Sequence, residues 1–182
     1  MSDAIETLMT EHRLIEGVLA SLDAWTNALA AGEADREDLP RFVRFIREFA
    51  DAKHHAKEEN ILFTAMADHG FPTQGGPIAV MLHEHDEGRA HVSVLAEGAD
   101  QPEWDASQRA RLVEAARGYV SLLRGHIPKE DNVLYPMAAD RLPPEAMQRV
   151  AERCAQVEDE YANSGNGERL ESLARELIAR YA

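Results

Sequence analysis

One ten-residue stretch of this chain returns in altered form. HHAKEENILF spans His54 to Phe63, and HIPKEDNVLY spans His126 to Tyr135, 72 residues later. Aligned, His54 pairs with His126, Lys57 with Lys129, Glu58 with Glu130 and Asn60 with Asn132. The apolar run Ile61, Leu62 and Phe63 pairs with Val133, Leu134 and Tyr135. What repeats is a His and a Glu four positions apart, followed by an apolar cluster. Helical geometry stacks such a pair on one face, one turn apart. A chain built on two copies needs a fold in which the two faces meet, and two facing His–Glu pairs make a metal site.

The rest of the composition suits helices. The 182 residues fit one domain with a substantial core. Only 11 Gly and 8 Pro, with much Ala, Leu, Glu and Arg, favour helix over sheet. A net charge of −14 argues against a nucleic-acid or anionic-membrane partner, either of which needs a basic patch. No apolar run approaches the roughly 20 residues of a membrane span. The acidic N-terminus, MSDAIETLMTEH, is no signal peptide. The single Cys154 excludes an intramolecular disulfide and a cysteine-based zinc site. A cytoplasmic protein is the simplest reading.

Apolar stripes mark the helices. A first helix starts at a Ser2 or Asp3 cap, where Asp3 and Glu6 fit a capping box, carries Ile5, Leu8, Ile15, Leu19 and Leu22, and ends near Gly32. His12 lies on its stripe. A second helix, with Pro40 in its first turn, carries Phe42, Val43, Phe45, Ile46 and Phe49, then His54, Glu58, Ile61 and Leu62. Asp68 to Pro77 is dense in turn residues and forms a loop. A third helix, about Ile78 to Ala96, carries Ile78, Met81, His85, Val92 and Leu95, and a loop from Gly98 to Glu103 follows it. A capping box of Asp105 and Gln108 opens the fourth helix, with the stripe Leu112, Ala116, Tyr119, Leu123, His126, Glu130, Val133 and Met137. Pro128 predicts a kink or widened turn beside the last of these. Leu142-Pro143-Pro144 breaks the chain before a fifth helix to about Tyr161 and a short closing helix to Tyr181.

The repeat extends beyond the opening stretch. Glu11-His12 corresponds to Glu84-His85, so one helical hairpin is used twice. In an antiparallel four-helix bundle the inward residues converge on one buried cluster: His12, His54, Glu58, His85, His126 and Glu130. Burying these groups without compensation costs several kcal/mol for each charge, against a total domain stability of about 5–15 kcal/mol. The cluster therefore calls for cations. Two ions suit it, with both Glu bridging and two His on each. Mixed imidazole and carboxylate ligation suits iron ahead of manganese or zinc.

With EH in the first helix, HHxKEENxLF in the second, EHDEGR in the third and HIPKEDNVLYP in the fourth, the chain resembles the hemerythrin-like, HHE cation-binding family. The resemblance covers about residues 3 to 140. It implies an all-α, up-and-down four-helix bundle over residues 1–140 holding a non-haem di-iron centre, with residues 141–182 a helical extension packed on it. It implies as iron ligands the same six residues. The chain departs from the oxygen-carrying hemerythrins at two places. Those carriers have a fifth His one turn from the other on the third helix, where this chain has Met81 and Arg89 about His85. They also place an Asp five residues after the fourth-helix His. Asp131 has that spacing from His126, but the repeat pairs Glu130 with Glu58 and selects Glu130.

Among the remaining candidates, His83 and His91 fall off the stripe and His69 lies in a Gly/Pro loop, so all three read as surface residues. Tyr119 reads as core, within two turns of His126. Glu16, one turn after His12, reads as solvated, and Cys154 as inert. His55 stays open: it lies about 100° round from His54 and pairs with Glu59, but its repeat counterpart is Ile127. The expected role is to bind or sense a small ligand such as dioxygen or nitric oxide, or to handle iron. The alternative is a redox enzyme acting on peroxide or nitric oxide at the same centre. Family members that repair iron–sulfur clusters carry a further cysteine-bearing N-terminal segment, and this chain starts at its first helix, which favours the other roles. The helices from Pro143 onward are a possible surface for a protein partner of unknown kind.

Overall fold

A computed structural model describes residues 3–182, so the expected Ser2 cap lies outside the described residues. Every regular element among those residues is helical. The first helix, α1 (Asp3–Ala31), stops where Gly32 takes φ +80° and its N–H closes on the Leu29 carbonyl. The second long helix is continuous but not uniform. It begins as α2 (Asp38–Phe45), widens into π-helical turns at Ile46–His55 and Glu58–Phe63, and closes as α3 (Thr64–Asp68). Then come α4 (Gly76–Ala99) and α5 (Ala106–Lys129), the latter opened by the Asp105/Gln108 capping box. A π turn at Glu130–Leu134 leads into α6 (Tyr135–Arg141), and α7 (Pro144–Asn163) and α8 (Asn166–Arg180) complete the chain. The result is an all-α, hemerythrin-like bundle with two further C-terminal helices, as the stripes predict.

The apolar core falls into two clusters. One holds Ile15 to Leu29, Phe42 to Ala50, Val92 to Ala96 and Leu112 to Ile127, together with Leu170, Ala174 and Leu177 of α8. The other holds Ala4 to Leu8, Ile61 to Met66, Ile78, Met81, Leu134 to Ala138 and part of α7. Each predicted histidine sits at the boundary on its own helix: His12 between Leu8 and Ile15, His54 between Ala50 and Ile61, His85 between Met81 and Val92, and His126 between Leu123 and Leu134. The bundle thus holds a polar layer between two apolar halves.

The widened turn expected at Pro128 begins two residues later, at Glu130. Proline removes one helical donor there, and a π turn absorbs one additional residue. That residue shifts the frame. A strict helical period carries the stripe from Glu130 to Val133 and Met137, but Val133 is 48% exposed whereas Leu134 is 1% and Ala138 is buried. The expected inward placement of Val133 is therefore incorrect. The second helix shows the same shift, where the step from Phe49 to His54 is five residues. The exchange Leu134→Ala should cost about 2–5 kcal/mol of unfolding free energy. Val133→Ala should change it by no more than about 0.5 kcal/mol. Denaturant unfolding of the two variants tests this, and the reverse ranking would show that the period runs unbroken.

Candidate metal centre

The six predicted residues converge. His12, His54, Glu58, His85, His126 and Glu130 come from all four long helices, and all are buried, the two carboxylates completely. The rings of His12 and His54 lie 4.6 Å apart and those of His85 and His126 4.8 Å apart. The donor atoms fall into two neighbouring groups able to hold a cation. One is His12, His54, Glu58 and Glu130; the other is His85 and His126 with His55, the residue that the sequence leaves open. Glu58 and Glu130 also face the second group, with His126 Nε2 3.0 Å from Glu130 Oε2 and His85 Nε2 3.6 Å from Glu58 Oε2.

Each of the four repeat-related imidazoles is clamped from behind. His54 Nδ1 lies 2.8 Å from Glu11 and His126 Nδ1 2.9 Å from Glu84. His12 Nδ1 lies 2.6 Å from Asp131 and His85 Nδ1 2.7 Å from Glu59. A carboxylate on Nδ1 fixes the tautomer and the ring plane, and leaves Nε2 as the inward donor. Each carboxylate in turn meets a cation: Lys57 and Lys53 on Glu11, Lys129 on Glu84, Arg13 on Asp131 and Arg89 on Glu59. Lys57 is completely buried and also reaches Glu158 of α7, which ties the C-terminal helices to the site.

These clamps were not read from the sequence, although the signal lies in the repeat. Glu11 and Glu84 precede equivalent histidines, Lys57 and Lys129 are equivalent, and Glu59 and Asp131 follow equivalent glutamates. Tyr135, the last repeat residue, was also missed. Its hydroxyl donates to Glu58 Oε1 at 2.5 Å, and its ring stacks on His12. Asp131 is turned outward to His12 Nδ1 and Arg13, whereas Glu130 points among the Nε2 atoms.

Elsewhere the surface readings divide. His83 and His69 are exposed, and Glu16 pairs with Arg13 at the surface. His91 is half-buried, its ring beside Gly118, so it is only partly solvated. Tyr119 is buried, and its hydroxyl has no hydrogen-bond partner.

The interior electrostatics show what the cluster needs. Glu58 Oε2 and both oxygens of Glu130 are buried without a hydrogen bond, a costly state for carboxylates. Burial and the Glu130 charge push Glu58 well above the usual carboxylate range. Burial also works against a charged Glu130, but His12, His126 and His85 hold it well below that range. Burial disfavours charged imidazoles too, yet Asp131 and Glu130 raise His12 to about 9, and Glu130 and Glu59 raise His85 to about 10. Burial lowers His54 to about 4 and His55 to about 3. Burial and the crowded carboxylates thus favour added positive charge at this layer. Converging imidazole nitrogens and unpaired carboxylate oxygens fit a pair of divalent or trivalent cations.

Comparison with known proteins identifies the family. The model of the hemerythrin HHE cation-binding domain matches residues 3–138. The chain belongs to the hemerythrin HHE cation-binding family. Among its curated relatives is the iron–sulfur cluster repair protein YtfE of Pectobacterium carotovorum, 33% identical over 90 residues, which are 48% of this chain and 41% of the relative. The YtfE of Musicola paradisiaca is 38% identical over 91 residues, 48% of this chain and 40% of the relative. The YtfE of Salmonella newport is 31% identical over 112 residues, 58% of this chain and 50% of the relative. The chain spans half or less of the length of these relatives. No solved structure gives a significant match. No helix among the described residues is long and apolar enough to cross a membrane.

Cys154 lies on the inner face of α7, and burial raises its thiol to about 11. The raised value favours the neutral thiol at every pH below it, so at pH 8 only about one molecule in a thousand carries the reactive thiolate. Alkylation of the folded protein at pH 8 should be at least about a hundredfold slower than in denaturant. Equal rates would place the thiol in solvent.

Proposed function

We propose that this protein holds a non-haem di-iron centre, with His12, His54, Glu58, His85, His126 and Glu130 as its protein ligands, and uses it to bind a small ligand or to handle iron. The observation that carries this reading is the pairing of two imidazole groups around two shared, unsatisfied carboxylates. When bound, iron would supply Lewis acidity and one-electron chemistry toward dioxygen, nitric oxide or peroxide. The chain's own residues supply the rest. Glu58 and Glu130 place negative charge between the two groups, and the four carboxylate clamps hold each ring in one tautomer. Tyr135 keeps Glu58 oriented through its hydroxyl. The apolar layers above and below exclude water and strengthen the electrostatic contacts between them.

The name shared by the relatives, iron–sulfur cluster repair, supports iron handling as the biological role and brings repair back among the readings that the N-terminus had disfavoured. The single free, buried thiol of Cys154 fits a reducing, cytoplasmic setting. Turnover of peroxide or nitric oxide remains the enzymatic version of the same site.

The test is iron content. The purified protein, loaded anaerobically with ferrous iron and desalted, should retain close to two iron atoms per chain. Glu58→Gln keeps the shape of the side chain and an acceptor for Tyr135 but removes the bridging charge, so it should retain less than half of that iron. Full retention by this variant would remove Glu58 from the ligand set, and retention of a single iron by the unaltered protein would refute the two-ion centre.

A further inference from the structure

Four of the five imidazoles in the cluster are clamped, and the fifth is loose. His12, His54, His85 and His126 each have a carboxylate within 2.6–2.9 Å of Nδ1. His55 is equally buried, its ring stacked on that of His85 with centroids 3.8 Å apart. Its Nδ1 nevertheless makes no hydrogen bond. The facing carboxylate oxygen, Asp51 Oδ1, is 3.4 Å away and is already engaged by Arg89 at 2.8 and 3.0 Å. Among the described residues no hydrogen bond to Nδ1 holds the ring from behind, as one does for the other four.

The donor atoms of this group are near enough to share one ion. Two donors about 2.1 Å from one ion lie at most about 4.2 Å apart. The donor atoms of His55, His85 and His126 lie within 4.8 Å of one another, close to that limit, so a small swing of the unclamped His55 ring can complete the set or open it. A cavity of about 270 Å³ adjoins this side, lined by His55, His85, Gly88, Arg89 and Tyr119 among others. Gly88 leaves it open: a Cβ there would sit 3.5 Å from the Tyr119 ring. Tyr119, whose buried hydroxyl has no hydrogen-bond partner, also lines it.

We propose that His55 is a displaceable donor to the ion held by His85 and His126, and that a small exogenous ligand entering through this cavity takes its place. The inference rests on the two-ion reading above. His85, His126, Glu58 and Glu130 give that ion four anchored donors, and the neutral imidazole of His55 adds a fifth without a clamp. Exchange swaps one donor for another and changes no oxidation state. The Tyr119 hydroxyl is placed to donate a hydrogen bond to a ligand in the cavity. His12 and His54 have no counterpart to His55, because the equivalent position in the repeat is Ile127, so the two ions are unequal and exchange is confined to one side.

Azide is a suitable probe, followed by its charge-transfer absorption on the ferric protein, with iron counted in the same samples. An internal donor that competes with the ligand lowers its apparent affinity by the fraction of time it stays bound. His55→Ala, and the volume-preserving His55→Gln, should therefore retain close to two iron atoms per chain and bind azide at least about tenfold more tightly. Gly88→Val narrows the cavity, and should leave close to two iron atoms per chain while slowing azide association about tenfold or more. Unchanged or weaker azide binding in both His55 variants would overturn the proposal. So would loss of iron from them to the extent seen in Glu58→Gln, which would make His55 a fixed ligand. An unaltered association rate in Gly88→Val would overturn the entry route. Unaltered protein that holds no iron pair would overturn the two-ion reading itself, an outcome read before any variant is compared.

Discussion

Two carboxylates that cannot both be satisfied by protein sit at the centre of this molecule. Glu58 and Glu130 are fully buried, face the same imidazoles, and leave three oxygens without a hydrogen bond. Uncompensated, each buried charge costs several kcal/mol, a large share of what a domain of this size has in total. The arrangement around them answers that constraint. Imidazoles surround the carboxylates, outer carboxylates hold the imidazoles, and lysines and arginines neutralise the outer carboxylates. Charge alternates outward from the cluster to the surface, and the apolar clusters on either side keep the layer dry.

The internal repeat reaches further than the ligands. Glu11 with Lys57 on His54 is matched by Glu84 with Lys129 on His126, and Asp131 on His12 is matched by Glu59 on His85. Arg13 pairs with Glu16 on the first helix, and the corresponding pair on α4 is Asp86 with Arg89, the same ion pair with its charges exchanged. Against this near-symmetry two features stand out. His55 replaces an isoleucine, and α7 adds Glu158 to the Lys53 and Lys57 side alone. Both make the two halves of the centre chemically different, one by an added donor and one by added negative charge behind the Glu11 clamp.

Much of this was legible in the sequence because it depends on period and repetition. The stripes of α1, the second helix and α4 are buried as expected, from Ile5 through Leu22, Phe42 through Leu62 and Ile78 through Leu95. The six converging residues follow from the same period, and the choice of Glu130 over Asp131 as the inward carboxylate follows from the repeat. What escaped depends on local backbone or on chain reversal. A π turn adds one residue, so Val133 faces solvent where a fixed period turns it inward. The clamps need the third dimension: Glu11 is 43 residues from His54, and only the packed bundle brings them within 2.8 Å. His55 belongs to both classes, since its place beside His85 follows from the widened turns of the second helix.

The central claim is that this polar layer is completed by two cations. Calorimetric unfolding of the metal-free protein during anaerobic titration with ferrous iron tests it most directly, because an ion that binds only the folded state raises the unfolding temperature by mass action. The account predicts a transition that rises with each addition and breaks sharply at two equivalents per chain. A transition that does not move, or that breaks at one equivalent, would contradict it.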